Sequence, residues 1–145
     1  MSNEPAIFTD SELAYLAGQR LGRLATIGPS GSPQNNPVGF SVNAELGTID
    51  IFGFNLAKSK KFRNLKGNPN VAFVVDDLAS VDPWVVRGVE VRGTAEALDG
   101  VKPPIAHMSS QVIRVHPRRI ISWGVDPYLP NMSARDVPGS PKEAA

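Results

Sequence analysis

The feature that most restricts the fold is a series of short segments whose side chains alternate between two unlike faces, each closed by turn residues. Val85–Leu98 is the longest: Val89, Val91 and Gly93 share one face, with Glu90, Arg92 and Thr94 opposite. A period of two marks a strand with one apolar side. Gly22–Gly28 repeats it, with Leu24 and Thr26 against Ala25 and Ile27. Pro29-Ser30-Gly31-Ser32 has the composition of a hairpin turn, so Gln34–Asn43 reads as the return strand. Pro37 lies inside that strand and lacks an N–H, which asks for an edge or a bulge. Thr48–Phe54 and Val71–Val75 are two more strands, and Gln111–Trp123 supplies the last, in two parts around His116-Pro117. Asp76–Pro83 reads as a loop.

Two helices interrupt this pattern. Thr9 and Glu12 make a capping box, Phe8 and Leu13 have the spacing of a hydrophobic staple, and a helix follows over Asp10–Gly18. Ser59 caps a second, over Ser59–Lys66, with Phe62 and Leu65 as its apolar stripe; Gly67-Asn68-Pro69-Asn70 ends it. Antiparallel turns between neighbouring strands favour a closed β-barrel over a doubly wound sheet. The 145 residues suit one domain, with the barrel over residues 1–125. Residues 126–145 carry Pro127, Pro130, Pro138 and Pro141 and little apolar content, and a mobile tail is expected beyond about Met132.

Composition removes several kinds of chemistry. There is no cysteine, hence no disulfide and no thiol nucleophile. His107 and His116 have no companions at metal-ligand spacing. No apolar run approaches the roughly 18 residues of a membrane span. The first ten residues lack the order of a signal peptide, so a cytoplasmic protein without membrane or nucleic-acid partners is expected.

The charge distribution says more than the net charge of +1. Between Asp50 and Asp76 no acidic residue occurs, yet Lys58, Lys60, Lys61, Arg63 and Lys66 all fall there. A strand ends near Phe54 and a helix begins near Ser59. A helix start offers free N–H groups and a partial positive charge, which suit a phosphate. Ser59, Lys60 and Lys61 add a hydroxyl and two ammonium groups at that point. On residue types alone, a solvated basic helix with a serine cap has equal weight. The glycine-rich run of a P-loop is missing.

Taken in order, the motifs resemble the pyridoxamine-phosphate-oxidase-like split-barrel flavoproteins, and more narrowly their actinobacterial branch that uses coenzyme F420. They are Leu24-Ala25-Thr26, Gly31-Ser32-Pro33, Ser59-Lys60-Lys61, Asn68-Pro69-Asn70-Val71, Val91-Arg92-Gly93-Thr94-Ala95 and His116-Pro117-Arg118-Arg119-Ile120-Ile121-Ser122-Trp123-Gly124. The resemblance covers about Asp10 to Val125. It implies a six-stranded antiparallel split barrel that works as a homodimer, with cofactor sites between the subunits. It also implies that Ser59, Lys60 and Lys61 hold the cofactor phosphate, with Lys58 beside them, and that Trp123 approaches the cofactor. Asn36 and Ser41 stand where the oxidases carry an arginine and a lysine that help bind FMN. Gly88 stands in place of an oxidase glutamine, and the basic residues that bind pyridoxal phosphate are missing from Val125-Asp126-Pro127. Oxidation of pyridoxamine phosphate is therefore not expected. Pro37-Val38-Gly39-Phe40 resembles the second-strand pattern of the F420 branch, which adds Asn36, Pro37 and Val38 to the cofactor groove.

The resemblance thus implies hydride transfer from reduced F420 to a small organic substrate. FMN on the same fold is the alternative, and a non-enzymatic cofactor-binding dimer the third reading. No side chain is named as catalytic, since the hard chemistry would belong to the cofactor. Trp84 divides evenly between lining the substrate side and packing. Arg87 and Arg92 read mainly as solvent-facing, and nothing places Tyr15 or Tyr128 in a pocket.

Overall fold

The computed structural model describes residues 6–128 and 131–139. Helix α1 (Asp10–Ala17) precedes β1 (Leu21–Ile27), β2 (Pro33–Gly39), β3 (Ser41–Asn43) and β4 (Thr48–Ile51). A 3-10 turn (Leu56–Lys58) and α2 (Lys60–Gly67) follow. Then come β5 (Asn70–Ser80), β6 (Val85–Leu98), β7 (Val112–Trp123) and β8 (Ser133–Asp136).

All the strand pairings are antiparallel, in the order β2-β1-β5-β6-β7-β4-β3, with β8 added to β7. The two ends of that path, β2 and β3, are consecutive in the chain and separated by Phe40 alone. The sheet must therefore curl until its ends meet, and this makes the split barrel. Phe40 packs edge-on against Phe73 with ring centroids 5.2 Å apart. Leu24, Ile49, Ile51, Val75, Val89, Val91, Ile113, Val115 and Ile120 fill the interior. Among the described residues no helix is long and apolar enough to cross a membrane.

The mainly β barrel and its two helices match the expectation, while several boundaries differ for identifiable reasons. The return strand breaks at Phe40, which divides Gln34–Asn43 into β2 and β3. Pro37 does sit on an end strand of the sheet path, opposite Arg23. The expected loop at Asp76–Pro83 begins as strand, because its two carboxylates are paired. Asp76 bonds Arg23 at 2.5 Å, and Asp77 takes a bidentate grip from Arg87 at 2.7 and 2.9 Å. β7 runs unbroken through Pro117. The register shifts between Arg92 and Gly93, a β-bulge that lets Arg118 loop out. Gly93 is required there: a Cβ would lie 2.0 Å from the His116 carbonyl oxygen.

The expectation of a tail beyond Val125 is corrected in part. Ser133–Asp136 form β8 against Arg119–Ser122, and Val137 is buried. Arg135 ties β8 to α1. Its guanidinium donates to both Glu12 carboxylate oxygens at 2.6 and 2.8 Å and to the Ile7 carbonyl at 2.7 Å. Glu12 is only 1 % exposed. Burial pushes its carboxyl up, but Arg135 and the Thr9 N–H together hold it below the ordinary value. Residues 129–130 and 140–145, including Pro130 and Pro141, lie outside the described residues.

Candidate functional site

The site grows from the turn that leads into α2. Asn55 adopts a left-handed conformation, with φ of 55°, and starts the 3-10 turn. Ser109 braces it: its hydroxyl donates to the Gly53 carbonyl at 2.7 Å and accepts from the Leu56 N–H at 3.2 Å. Leu56 is buried beneath. Ser59 then caps α2, accepting from the Phe62 N–H at 3.3 Å while donating to the Leu56 carbonyl at 2.6 Å. Helix geometry leaves the N–H groups of Lys60 and Lys61 without an intrahelical acceptor.

Phe62 and Leu65 bury the inner face of α2, as their spacing predicts. Asn64, also buried, is the residue the sequence reading missed. Its amide donates to Thr26 Oγ1 at 3.0 Å and to Gln34 Oε1 at 3.2 Å, and Gln34 in turn donates to Asn36 Oδ1. One polar chain thus fixes α2 against β1 and β2. The C-terminal part of the helix lies beside Gly28 and Gly31, at the β1–β2 turn. Asn36 reaches α2 only through Gln34 and Asn64 among the described residues.

Lys58, Lys60, Arg63 and Lys66 are exposed, and Lys61 is half-buried. Among the described residues none of the five forms an ion pair. Unneutralised charge, free N–H groups and a hydroxyl at one point are a donor set that fits a phosphate.

The other residues singled out in the sequence fall elsewhere. Val38 is a core residue and Pro37 faces solvent from β2. Trp123 is half-buried at the far end of β7, its indole lying over Gly88, where a Cβ would meet the ring at 2.5 Å. Ile113, at the near end of β7, pairs with Ile51 of β4 just before the clamp. The ten residues between Ile113 and Trp123 span about 30 Å of strand. Within one chain, Trp123 and the clamp are thus not brought together.

Arg87 is not a free strand residue. It holds Asp77 and lies over the Tyr15 ring, 5.2 Å from its centroid. Arg87 beside Asp77 holds that carboxyl down at about 2. Burial, then the hydrogen bond from its hydroxyl to Asp77, pushes Tyr15 far above the ordinary phenol value. Tyr15 is a structural residue rather than an available proton donor. Arg92 pairs with Glu90, and His116 contacts Glu96. Among the described residues no cluster could hold a metal.

Comparison with known proteins bears on the family and the fold. The family model described as "Pyridoxamine 5'-phosphate oxidase" matches residues 8–124. A 5a,11a-dehydrotetracycline/5a,11a-dehydrooxytetracycline reductase from Streptomyces rimosus is 48% identical over 132 residues, covering 90% of this chain and 93% of its own. Among solved structures, a conserved hypothetical protein of Mycobacterium tuberculosis superposes with a TM-score of 0.64 at 28% identity, over 88% of this chain and 92% of that one. A protein titled F420 reductase gives 0.59 at 27% identity, over 78% and 98%. On sequence and fold together, the chain belongs to the pyridoxamine 5'-phosphate oxidase family.

Proposed function

We propose that this chain is a cytoplasmic, homodimeric F420-dependent reductase that delivers a hydride to an electron-poor carbon–carbon double bond of a small organic substrate. The observation that carries the reading is the set of five cations at and around the start of α2, none with an ion-pair partner among the described residues. Lys60, Lys61 and the free N–H groups meet the needs of one phosphate. Lys58, Arg63 and Lys66 exceed them and suit a ligand with further negative charge, as F420 has and FMN lacks. The relative from Streptomyces rimosus, a reductase of a dehydro compound by its name, supports both the reaction type and the double bond.

When bound, the reduced deazaflavin would supply the hydride. Ser59, Lys60 and Lys61 would then neutralise and fix its phosphate, with Lys58, Arg63 and Lys66 meeting any further negative charge. A cofactor that meets both the clamp and Trp123 needs two chains, since one chain holds them at opposite ends of β7.

Fluorescence titration with F420 and with FMN, followed by turnover of a dehydrotetracycline with reduced F420, tests the reading. Saturable F420 binding that weakens with salt supports it. Tighter binding of FMN, with turnover only in its presence, would replace it by the FMN alternative. Binding of neither cofactor would leave the barrel without this function.

A further inference from the structure

The β5–β6 hairpin is longer than the sheet that supports it. β1 pairs with β5 only over Ala72–Val74, and β7 pairs with β6 only from Gly88 onward. Beyond those points Leu78–Ser80 and Val85–Val86 pair with one another alone, as a two-stranded arm. Such a ribbon is marginally stable by itself in water. This one is also apolar. Val81 is 69% and Trp84 67% exposed, and Leu78, Val85 and Val86 are each 40% exposed.

The root of the arm, by contrast, is rigid. Asp77 receives Arg87, the Tyr15 hydroxyl at 2.9 Å and the Gln19 amide at 3.3 Å, so α1 fixes the angle at which the arm leaves the barrel. Leu78 pairs with Val86, and Val86 shares a face with Gly88, which pairs with Trp123. Along β6 an apolar strip therefore runs from Trp123 over Gly88 to Val86 and across to Leu78, flanked by Asp76, whose carboxylate is paired with Arg23.

We infer that this arm crosses to a second copy of the chain, where Val81 and Trp84 form an apolar wall on the substrate side of that copy's cofactor groove. The wall rests on the clamp reading given above; the crossing does not. The five side chains, spread over both faces of the ribbon, leave on the order of 400 Å² of apolar side chain exposed per copy. Two arms related by a two-fold axis would bury about 800 Å², half of a standard interface of roughly 1,600 Å². A planar, largely apolar substrate is the class that such a wall would take.

Three measurements decide the matter. In a Trp123→Phe background, Trp84 emission should be shielded from iodide at micromolar protein and become quenchable on dilution. Light scattering should show Val81→Glu with Trp84→Glu converting dimer to monomer while circular dichroism stays unchanged. A Trp84 that is open to iodide at every concentration, with the double variant still dimeric, overturns the crossing. For the wall, Trp84→Ala should raise KM for a planar substrate about tenfold without changing cofactor affinity. Mixing that variant with Lys60→Ala/Lys61→Ala should restore about a quarter of wild-type sites, since half the dimers are mixed and each carries one intact site. An arm acting within its own chain restores none. If the wild type binds no F420, the wall falls with the clamp, while quenching and scattering still decide the crossing.

Discussion

Replacing Lys60 and Lys61 together by Ala probes the clamp most directly. Lys61 is half-buried and forms no ion pair among the described residues, so its charge is available to a ligand phosphate. A charge-assisted hydrogen bond of that kind contributes about 1.5–3 kcal/mol. Lys60 is exposed, and solvent screening reduces its share to about 0.5–1 kcal/mol. The double change should thus cost about 2–4 kcal/mol of binding, a loss of roughly thirty- to a thousandfold in F420 affinity. Neither side chain packs in the core, so urea unfolding should shift by no more than about 0.5 kcal/mol. Raising salt from 0.1 to 1 M, which shortens the Debye length from about 10 to 3 Å, should weaken the wild type far more than the variant. Fluorescence titration at both salt concentrations measures all of this. Equal affinities for wild type and double variant would refute the clamp and leave a solvated basic helix.

Three further outcomes follow from the structure. Asn64→Ala leaves Thr26 and Gln34 short of a partner in a buried place, and should cost about 1–3 kcal/mol in urea unfolding. It should also loosen α2 against β2, lowering cofactor affinity although Asn64 touches no phosphate. Asp77→Asn should cost about 1 kcal/mol at neutral pH, a figure reduced for the partial exposure of this pair. With the Asp77 carboxyl held down at about 2, that difference is present above the unfolded value near 4 and disappears as pH falls towards 2. Arg135→Ala strands the buried Glu12 carboxylate and should cost about 2–3 kcal/mol, below the range for fully buried pairs because Arg135 is about a third exposed. Wild-type stability from Glu12 is present at neutral pH and lost as pH falls through its lowered folded value. In the variant the Thr9 N–H still opposes burial but the lowering by Arg135 is gone, so the loss of stability as pH falls should be smaller than in the wild type, which melting curves across pH 4–7 would reveal.

The alternation of Val89, Val91 and their opposite-face neighbours, the Pro29–Ser32 turn and the Thr9–Glu12 box were enough to place most strands and both helices. Those signals are local, and local geometry obeys them. What was not legible depends on partners distant in sequence. Asp76 and Asp77 read as loop residues until Arg23 and Arg87 stand opposite them. The segment Ser133–Val137 reads as tail because its anchor, the Arg135–Glu12 pair, joins residues 123 positions apart. Its apolar signal is a single Val137, which composition does not weigh. The break at Phe40 is set by closure of the barrel, which no window of ten residues contains.

The clamp shows the same division. Ser59 as a cap and the acid-free run of cations are readable because each is contiguous. The position of that run is not, since it depends on Asn64 reaching Thr26 and Gln34 across 38 and 30 residues. An asparagine between Arg63 and Leu65 carries no mark of burial, and only the stripe of Phe62 and Leu65, which turns this side of the helix inward, hints at it. Once buried, it must find acceptors, and the hydroxyl and amide on β1 and β2 provide them. The polar chain therefore does two things at once: it satisfies a buried amide and it fixes where the charged end of α2 points. A helix held by apolar contacts alone could slide by a residue at little cost. One held through Asn64 cannot, and the start of α2 keeps its place relative to Thr26 and Gln34.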